Sequence, residues 1–281
     1  MTDNSLNGSI VHYESFPSGL VQARPVDVWL PEGHDASSND RYPVVYMHDG
    51  QTMFDSANSP YAGTDWLWNV DKTMARLIQE ERIRPSIVVS VWNLPRQQRR
   101  AEYMPQKPIT DDAERLMIAR ESDLPGEEIT SDNYLKFLVE ELKPFIDKTY
   151  RTRSDKENTF IMGSSMGGMI SAYAIAEYPD VFGGAACLST HWNRGGDGAV
   201  IDWYKRHWPE AGSHRVYFDY GTETLDADYE PHQQQMDAIM RARGYRDGED
   251  WITRKFEGAD HSPRAWRERL HIPLTFLLGN D

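Results

Sequence analysis

The run 159–178 limits the possible folds of this chain more than any other segment. Thr159, Phe160, Ile161 and Met162 read as a short apolar strand, and Gly163-Ser164-Ser165-Met166-Gly167 follows it directly. A helix of small residues is expected over 167–178. A strand that turns into a helix within so few residues needs glycines on both sides of the turn, because a Cβ there would crowd the backbone. Ser165, at the centre of the turn, is pushed out of the sheet with its hydroxyl accessible, as a nucleophilic hydroxyl must be. Ser164 occupies the variable position of the pentapeptide and is expected only to pack.

The flanking segments fit the same scheme. Apolar or alternating stretches predict strands over 9–16, 20–30, 42–50, 86–93, 184–190, 215–221 and 251–256, with Val44, Val45, Tyr46 and Met47 as the core of the third. Helical spacing predicts helices over 68–82, 134–148, 231–243 and 265–278, the second capped by Ser131 and Asp132. Residues 94–130 combine prolines and charges with a weak helical patch from Ala113 to Ala119, and read as a long surface excursion. Alternating strands and helices after a strand-rich start predict an α/β fold, a three-layer sandwich around a mostly parallel sheet. A length of 281 residues suits one domain spanning 1–281.

A serine nucleophile needs a base and an acid to orient it, in the chain order Ser, Asp or Glu, His. His261, in Gly258-Ala259-Asp260-His261 just past the last expected strand, is placed for the base. The loop after 215–220 offers Glu223, Asp226 and Asp228 as the acid. Asp226 is preferred because it lies far enough past the strand to turn back, whereas Asp228 is close enough to the next helix to cap it; Glu223 stays open as a competitor. Two backbone amides must meet the developing oxyanion, one after the nucleophile and one after the third strand, which points to Met166 and Gln51. His191 and Trp192 follow the strand after the nucleophile helix and are candidate substrate contacts, and Trp66 and Trp68 are candidates for an aromatic wall. Arg99, Arg100 and Glu102 read better as an internal ion pair than as an anion site.

Charge and composition exclude other classes. A formal net charge of −14 repels polyanions, so neither nucleic acid nor an anionic membrane surface is an expected partner. The single cysteine, Cys187, permits no intrachain disulfide. The acids Asp49, Asp55, Asp65 and Asp71 lack metal-loop spacing, and no HExxH pattern occurs, so neither a metal nor another cofactor is expected. The first residues show no basic region followed by an apolar run, which points to the cytoplasm; a periplasmic or secreted chain whose leader has been removed would read the same.

At Tyr46-Met47-His48-Asp49-Gly50-Gln51, Arg100-Ala101-Glu102-Tyr103-Met104-Pro105, the 160–189 segment around Ser165, Tyr217 to Tyr229 and Phe256 to Trp266, the chain resembles the esterase family that includes esterase D, feruloyl esterases, enterochelin esterases and mycolyltransferases of the antigen 85 group. The resemblance runs over nearly the whole chain. It implies an α/β-hydrolase fold without a large cap domain, Ser165, Asp226 and His261 as catalytic residues, and the amides of Gln51 and Met166 as oxyanion donors. The expected activity is serine-dependent hydrolysis of a carboxylic ester through an acyl-enzyme, on a small-molecule or carbohydrate ester such as a feruloyl ester. Transfer of the acyl group to a sugar, hydrolysis of a siderophore ester or of S-formylglutathione, and a noncatalytic binding module are the alternatives.

Overall fold

The computed structural model describes residues 8–34, 39–109, 128–193 and 198–279. Its centre is an eight-stranded sheet in the order β1-β2-β4-β3-β5-β6-β7-β8. The strands are β1 (Ser9–Phe16), β2 (Arg24–Leu30), β3 (Val44–Met47), β4 (Ile87–Val91), β5 (Thr159–Ser164), β6 (Gly184–Leu188), β7 (Arg215–Gly221) and β8 (Trp251–Phe256). β2 pairs antiparallel with both β1 and β4, whereas β4, β3, β5, β6, β7 and β8 run parallel to one another. The fold is therefore α/β with a mostly parallel sheet, as the alternation predicts.

Because successive side chains leave a strand on opposite faces, each parallel strand feeds two cores. Val44, Tyr46, Ile87, Val89, Ile161, Cys187 and Phe218 enter one cluster, and Val45, Met47, Val88, Phe160, Met162, Ala186 and Tyr217 enter the other. The first face is covered by α2 (Arg96–Tyr103), α3 (Ser131–Lys136), α4 (Lys143–Thr149), α5 (Met166–Glu177), α6 (Ala199–His207) and α7 (Glu230–Ala242). The second is covered by α1 (Val70–Gln79), α8 (Pro263–Arg269) and α9 (His271–Leu278). Burial on both faces explains why these strands read as unbroken apolar runs rather than as alternating ones.

Four local expectations need correction. The helix expected over 134–148 starts at Ser131, so Ser131 and Asp132 lie inside its first turn and do not cap it. Between α3 and α4 it widens into a π-helical turn, Phe137–Leu142, where the Lys143 amide donates to the Leu138 carbonyl; Pro144 has no N–H to give to the Glu140 carbonyl, and the wider turn accommodates that loss. The 94–130 excursion is not wholly superficial, since it contains α2 and buries Ala101, Glu102, Tyr103, Met104, Ile109 and Ile129. Its weak patch from Ala113 to Ala119 lies outside the described residues. The last helix breaks at Leu270 into α8 and α9, and α6 is an additional helix with Val200, Ile201, Trp203 and Tyr204 turned inward.

Candidate active site

The candidate residues gather at the carboxyl ends of the parallel strands, where open α/β sheets place their ligand sites. Ser165 stands between β5 and α5 at φ 58° and ψ −122°, a conformation costly for any residue with a Cβ. Its amide donates to the Leu188 carbonyl at 2.9 Å, and its carbonyl accepts from the Met169 amide at 3.1 Å, so packing holds the strained turn on both sides. A Cβ on Gly163 would lie 2.7 Å from the Gly167 backbone, and one on Gly168 would lie 2.7 Å from Thr190 Oγ1. These glycines let the turn close and α5 approach β6.

His261 follows β8 in the loop before α8. Its Nδ1 meets Asp226 Oδ1 at 2.5 Å, and its amide donates to Thr224 Oγ1 at 2.9 Å. The ring is walled by Trp266, Tyr229 and His191, with edge-on centroid distances of 5.0, 5.8 and 6.5 Å. Asp226 is buried, while Glu223 and Asp228 are exposed, so of the three loop carboxylates it is Asp226 that engages the imidazole. Asp228 does not cap α7; the residue at that position is Tyr229. Burial would raise the Asp226 carboxyl, but hydrogen bonds from His261, Ser189 and the Gly221 amide outweigh it and hold the group below its ordinary value. Among the described residues the Ser165 side chain makes no hydrogen bond, to His261 or to any other group. Catalytic hydrogen bonds commonly tighten only when substrate arrives.

The loop after β3 turns through Asp49, which is left-handed at φ 59° and ψ 41°, and Gly50, where a Cβ would lie 2.7 Å from the Val91 backbone. The amides of Gln51 and Met166 donate to no protein acceptor among the described residues. Amides without a protein acceptor are the kind of donor an oxyanion needs, and Ser165 itself is half-buried. The loop is clamped from outside: Arg99 on α2 donates to both Asp49 oxygens at 2.5 and 2.8 Å, Asn93 Nδ2 donates to Asp49 Oδ1 at 2.5 Å, and the Asn93 amide donates to Gln51 Oε1 at 3.2 Å. Burial would raise Asp49, but Arg99 and Asn93 hold its carboxyl below the usual range. Arg99 and Glu102 thus take part in internal ion pairs, Glu102 with Arg24 at 2.6 Å.

Of the expected substrate contacts, His191 reaches the site and Trp192 does not. The His191 amide donates to the Ser165 carbonyl at 3.3 Å, and its Nδ1 is 2.8 Å from the Tyr229 hydroxyl. Trp192 is 1% exposed, packs edge-on against Tyr204 and Phe218, and gives its indole N–H to Gln233. A ring enclosed in the core with its one donor used offers nothing to a ligand, so Trp192 is a packing residue. Trp68 is likewise buried, against Trp266, whereas Trp66 is 58% exposed and stacks on Tyr61.

The sequence reading missed the residues behind Asp226. Ser189 Oγ lies 2.5 Å from Asp226 Oδ2 and 2.9 Å from both Trp266 Nε1 and Arg269 Nη2. Arg269 also grips Asp219 through Nε and Nη2 at 3.1 and 2.9 Å. No local pattern marks a serine after one strand and an arginine 80 residues later as neighbours.

The sequence profile of the family described as "Putative esterase" matches residues 18–276. The chain is similar to an endo-1,4-beta-xylanase/feruloyl esterase of Xylanibacter ruminicola, 27% identical over 186 residues, which are 65% of this chain and 22% of that protein. The chain thus spans only about a fifth of that relative's length. A ferulic acid esterase of the anaerobic fungus Anaeromyces mucronatus has a similar fold, with a TM-score of 0.66 at 20% identity over 99% of this chain and 92% of that one. The enterochelin esterase of Shigella flexneri superposes with a TM-score of 0.68 at 18% identity, covering 96% of this chain and 58% of that one.

Proposed function

Because the chain belongs to the "Putative esterase" family, we propose that it is a carboxylic-ester hydrolase that works through a covalent acyl-enzyme formed on Ser165. The observation that carries this reading is the 2.5 Å bond between His261 Nδ1 and the buried Asp226, at the same end of the sheet as the strained Ser165. A carboxylate on Nδ1 fixes the tautomer with its lone pair on Nε2, the form able to take a proton.

In the proposed sequence Ser165 Oγ bonds to the acyl carbon as its proton passes to His261 Nε2. The carbonyl oxygen becomes an oxyanion and receives the Gln51 and Met166 N–H groups. Collapse breaks the ester C–O bond, and the alcohol leaves with the proton held by His261. Water then attacks the acyl carbon, giving a proton to His261 that returns to Ser165 as the acid is released. Asp226 stays ionised throughout and stabilises the imidazolium.

The substrate class we propose is a feruloyl or carbohydrate ester. It is supported by the similarity to a xylanase/feruloyl esterase and by the exposed Trp66, stacked on the half-buried Tyr61, in the segment between Gln51 and α1. Purified protein should release p-nitrophenol from p-nitrophenyl acetate and be labelled by a fluorophosphonate. Ser165→Ala should lose at least about 10³-fold in kcat with both signals gone; a folded Ser165→Ala protein that keeps its hydrolysis refutes the acyl-enzyme. Feruloyl esters, acetylated sugars, a siderophore lactone and S-formylglutathione, compared by kcat/KM, test the substrate class. A preference for either of the last two removes it.

A further inference from the structure

We propose that Ser189 is a positioning residue of the acyl-transfer site, a hydroxyl locked as a donor to Asp226 by the buried Arg269–Asp219 pair and by Trp266. The inference rests on the Ser165–His261–Asp226 reading above and extends it by one layer of the structure.

A serine hydroxyl carries one proton and two lone pairs. At Ser189 the two donors at 2.9 Å, Trp266 Nε1–H and Arg269 Nη2–H, have no lone pairs to offer on those atoms and can only donate. They occupy both acceptor positions of the oxygen. The third neighbour, Asp226 Oδ2 at 2.5 Å, must therefore receive the Ser189 proton. A hydroxyl normally rotates to suit its surroundings; here that freedom is removed, and the donor points permanently at the carboxylate. The positive guanidinium on the oxygen's other side polarises the O–H and strengthens the bond.

The scaffold behind the serine is built to hold it. The Ser189 backbone is left-handed at φ 42°, and its amide donates to the Asp219 carboxylate at 3.1 Å. Asp219 is fully buried and accepts from the Tyr217 hydroxyl at 2.9 Å as well as from Arg269. Trp266 links the two halves of the site, since its ring edge packs on His261 while its N–H fixes Ser189. One Asp226 oxygen thus faces the base, and the other is held by Ser189 and the Gly221 amide at 2.6 Å. With three donors on two oxygens the carboxylate cannot rotate away from the imidazole. The other titratable groups around it are His191 from the loop after β6, Tyr229 at the start of α7, Asp219 and Tyr217 on β7, and Arg269 on α8.

Removing the Ser189 proton should act on catalysis in two separable ways. The carboxylate gains freedom to turn, which lowers kcat with little change in KM. Its negative charge is also less shared, so more of it faces His261 and favours the imidazolium; the acid limb of the kcat/KM profile then moves to higher pH. The test measures p-nitrophenyl acetate hydrolysis from pH 5 to 9 for the wild type, Ser189→Ala, Ser189→Cys and Ser165→Ala, with thermal unfolding of each. Ser189→Ala should lose about 10- to 100-fold in kcat, the range typical of groups that orient a reacting group from one layer out. Its acid limb should rise, and Ser189→Cys, which keeps a weaker donor, should fall between it and the wild type. If Ser189→Ala is unstable, the Ser189→Cys profile carries the test. Kcat within twofold of wild type and an unmoved acid limb in folded Ser189 variants, with Ser165→Ala inactive, overturn the inference alone. Activity retained by Ser165→Ala overturns the reading beneath it.

Discussion

At the scale of single residues, three carboxylates within six positions compete for one imidazole, and packing selects among them. Thr224 is left-handed at φ 57°, which turns the chain so that Asp226 points inward while Glu223 and Asp228 face solvent. Asp226→Asn should keep the fold and lower kcat on p-nitrophenyl acetate by about 10⁴-fold, because an amide can present its N–H to Nδ1 and favour the wrong tautomer. Glu223→Gln should leave kcat within about twofold, since an exposed group off the bond has no path to the reaction. Equal losses in the two variants would show that the loop rearranges before chemistry. The sequence narrowed the acid to this loop through chain order, but the backbone twist at Thr224 has no sequence signature. The same gap explains Trp192: adjacency to His191 does not say which side of a turn faces the core. Ser189, Trp266 and Arg269 were invisible because their meeting is created only by the packing of α8 against the ends of β6 and β7.

At the scale of elements, the central strands were legible because burial on both faces leaves a continuous apolar signal, whereas α2 was not. Its sequence, Arg-Gln-Gln-Arg-Arg-Ala-Glu-Tyr, has too few apolar residues to announce a buried helix. It packs because distant partners neutralise its charges, Asp49 for Arg99 and Arg24 for Glu102. The helix thereby becomes the outer brace of the loop after β3, with the Arg99 guanidinium also 4.9 Å from the centroid of the Tyr103 ring. Arg99→Leu leaves the Asp49 carboxylate in a largely enclosed site with Asn93 as its remaining side-chain donor. Breaking a fully buried pair costs about 3–5 kcal/mol; at 23% and 15% side-chain exposure this one should cost less, about 2 kcal/mol in urea unfolding. Asp49→Asn with Arg99→Leu should recover part of that loss, because no charge is then left unpaired. An Arg99→Leu protein as stable as wild type would mean that the brace is ornamental. The break between α8 and α9 escaped the sequence reading for a related reason, since the apolar spacing continues smoothly through Leu270 into α9.

At the scale of the whole molecule, acid stability sets opposing effects against each other. Between pH 7 and the isoelectric point near 5.1, the net charge falls from −14 toward zero and self-repulsion relaxes, which favours the folded state. Asp71 and Asp237, raised by burial, take up protons more readily in the native state and also gain as pH drops. His48 acts in the opposite direction. It is 1% exposed, with Nδ1 2.8 Å from the Tyr134 hydroxyl and Nε2 without a partner among the described residues. Burial, aided by the nearby Arg99 and opposed by Asp49, lowers it to about 3 from an ordinary 6.5. The unfolded chain then binds a proton at this position throughout the window from about 6.5 down to about 3, and the native chain does not. Stability from His48 is therefore complete above the unfolded value and is lost as pH falls through that window, at a limiting slope of about 1.4 kcal/mol per pH unit. Asp49 and Asp226, both depressed, add a loss only below the ordinary carboxylate range. His48→Gln keeps a polar partner for Tyr134 but cannot be protonated, so comparison with it cancels the opposing effects. Urea unfolding of both proteins at pH 6 and pH 4 should show the wild type losing about 2–3 kcal/mol more than the variant. Parallel losses would mean that His48 takes up its proton in the folded protein, and so that water reaches the face of the loop after β3 that Tyr103 and Tyr134 close.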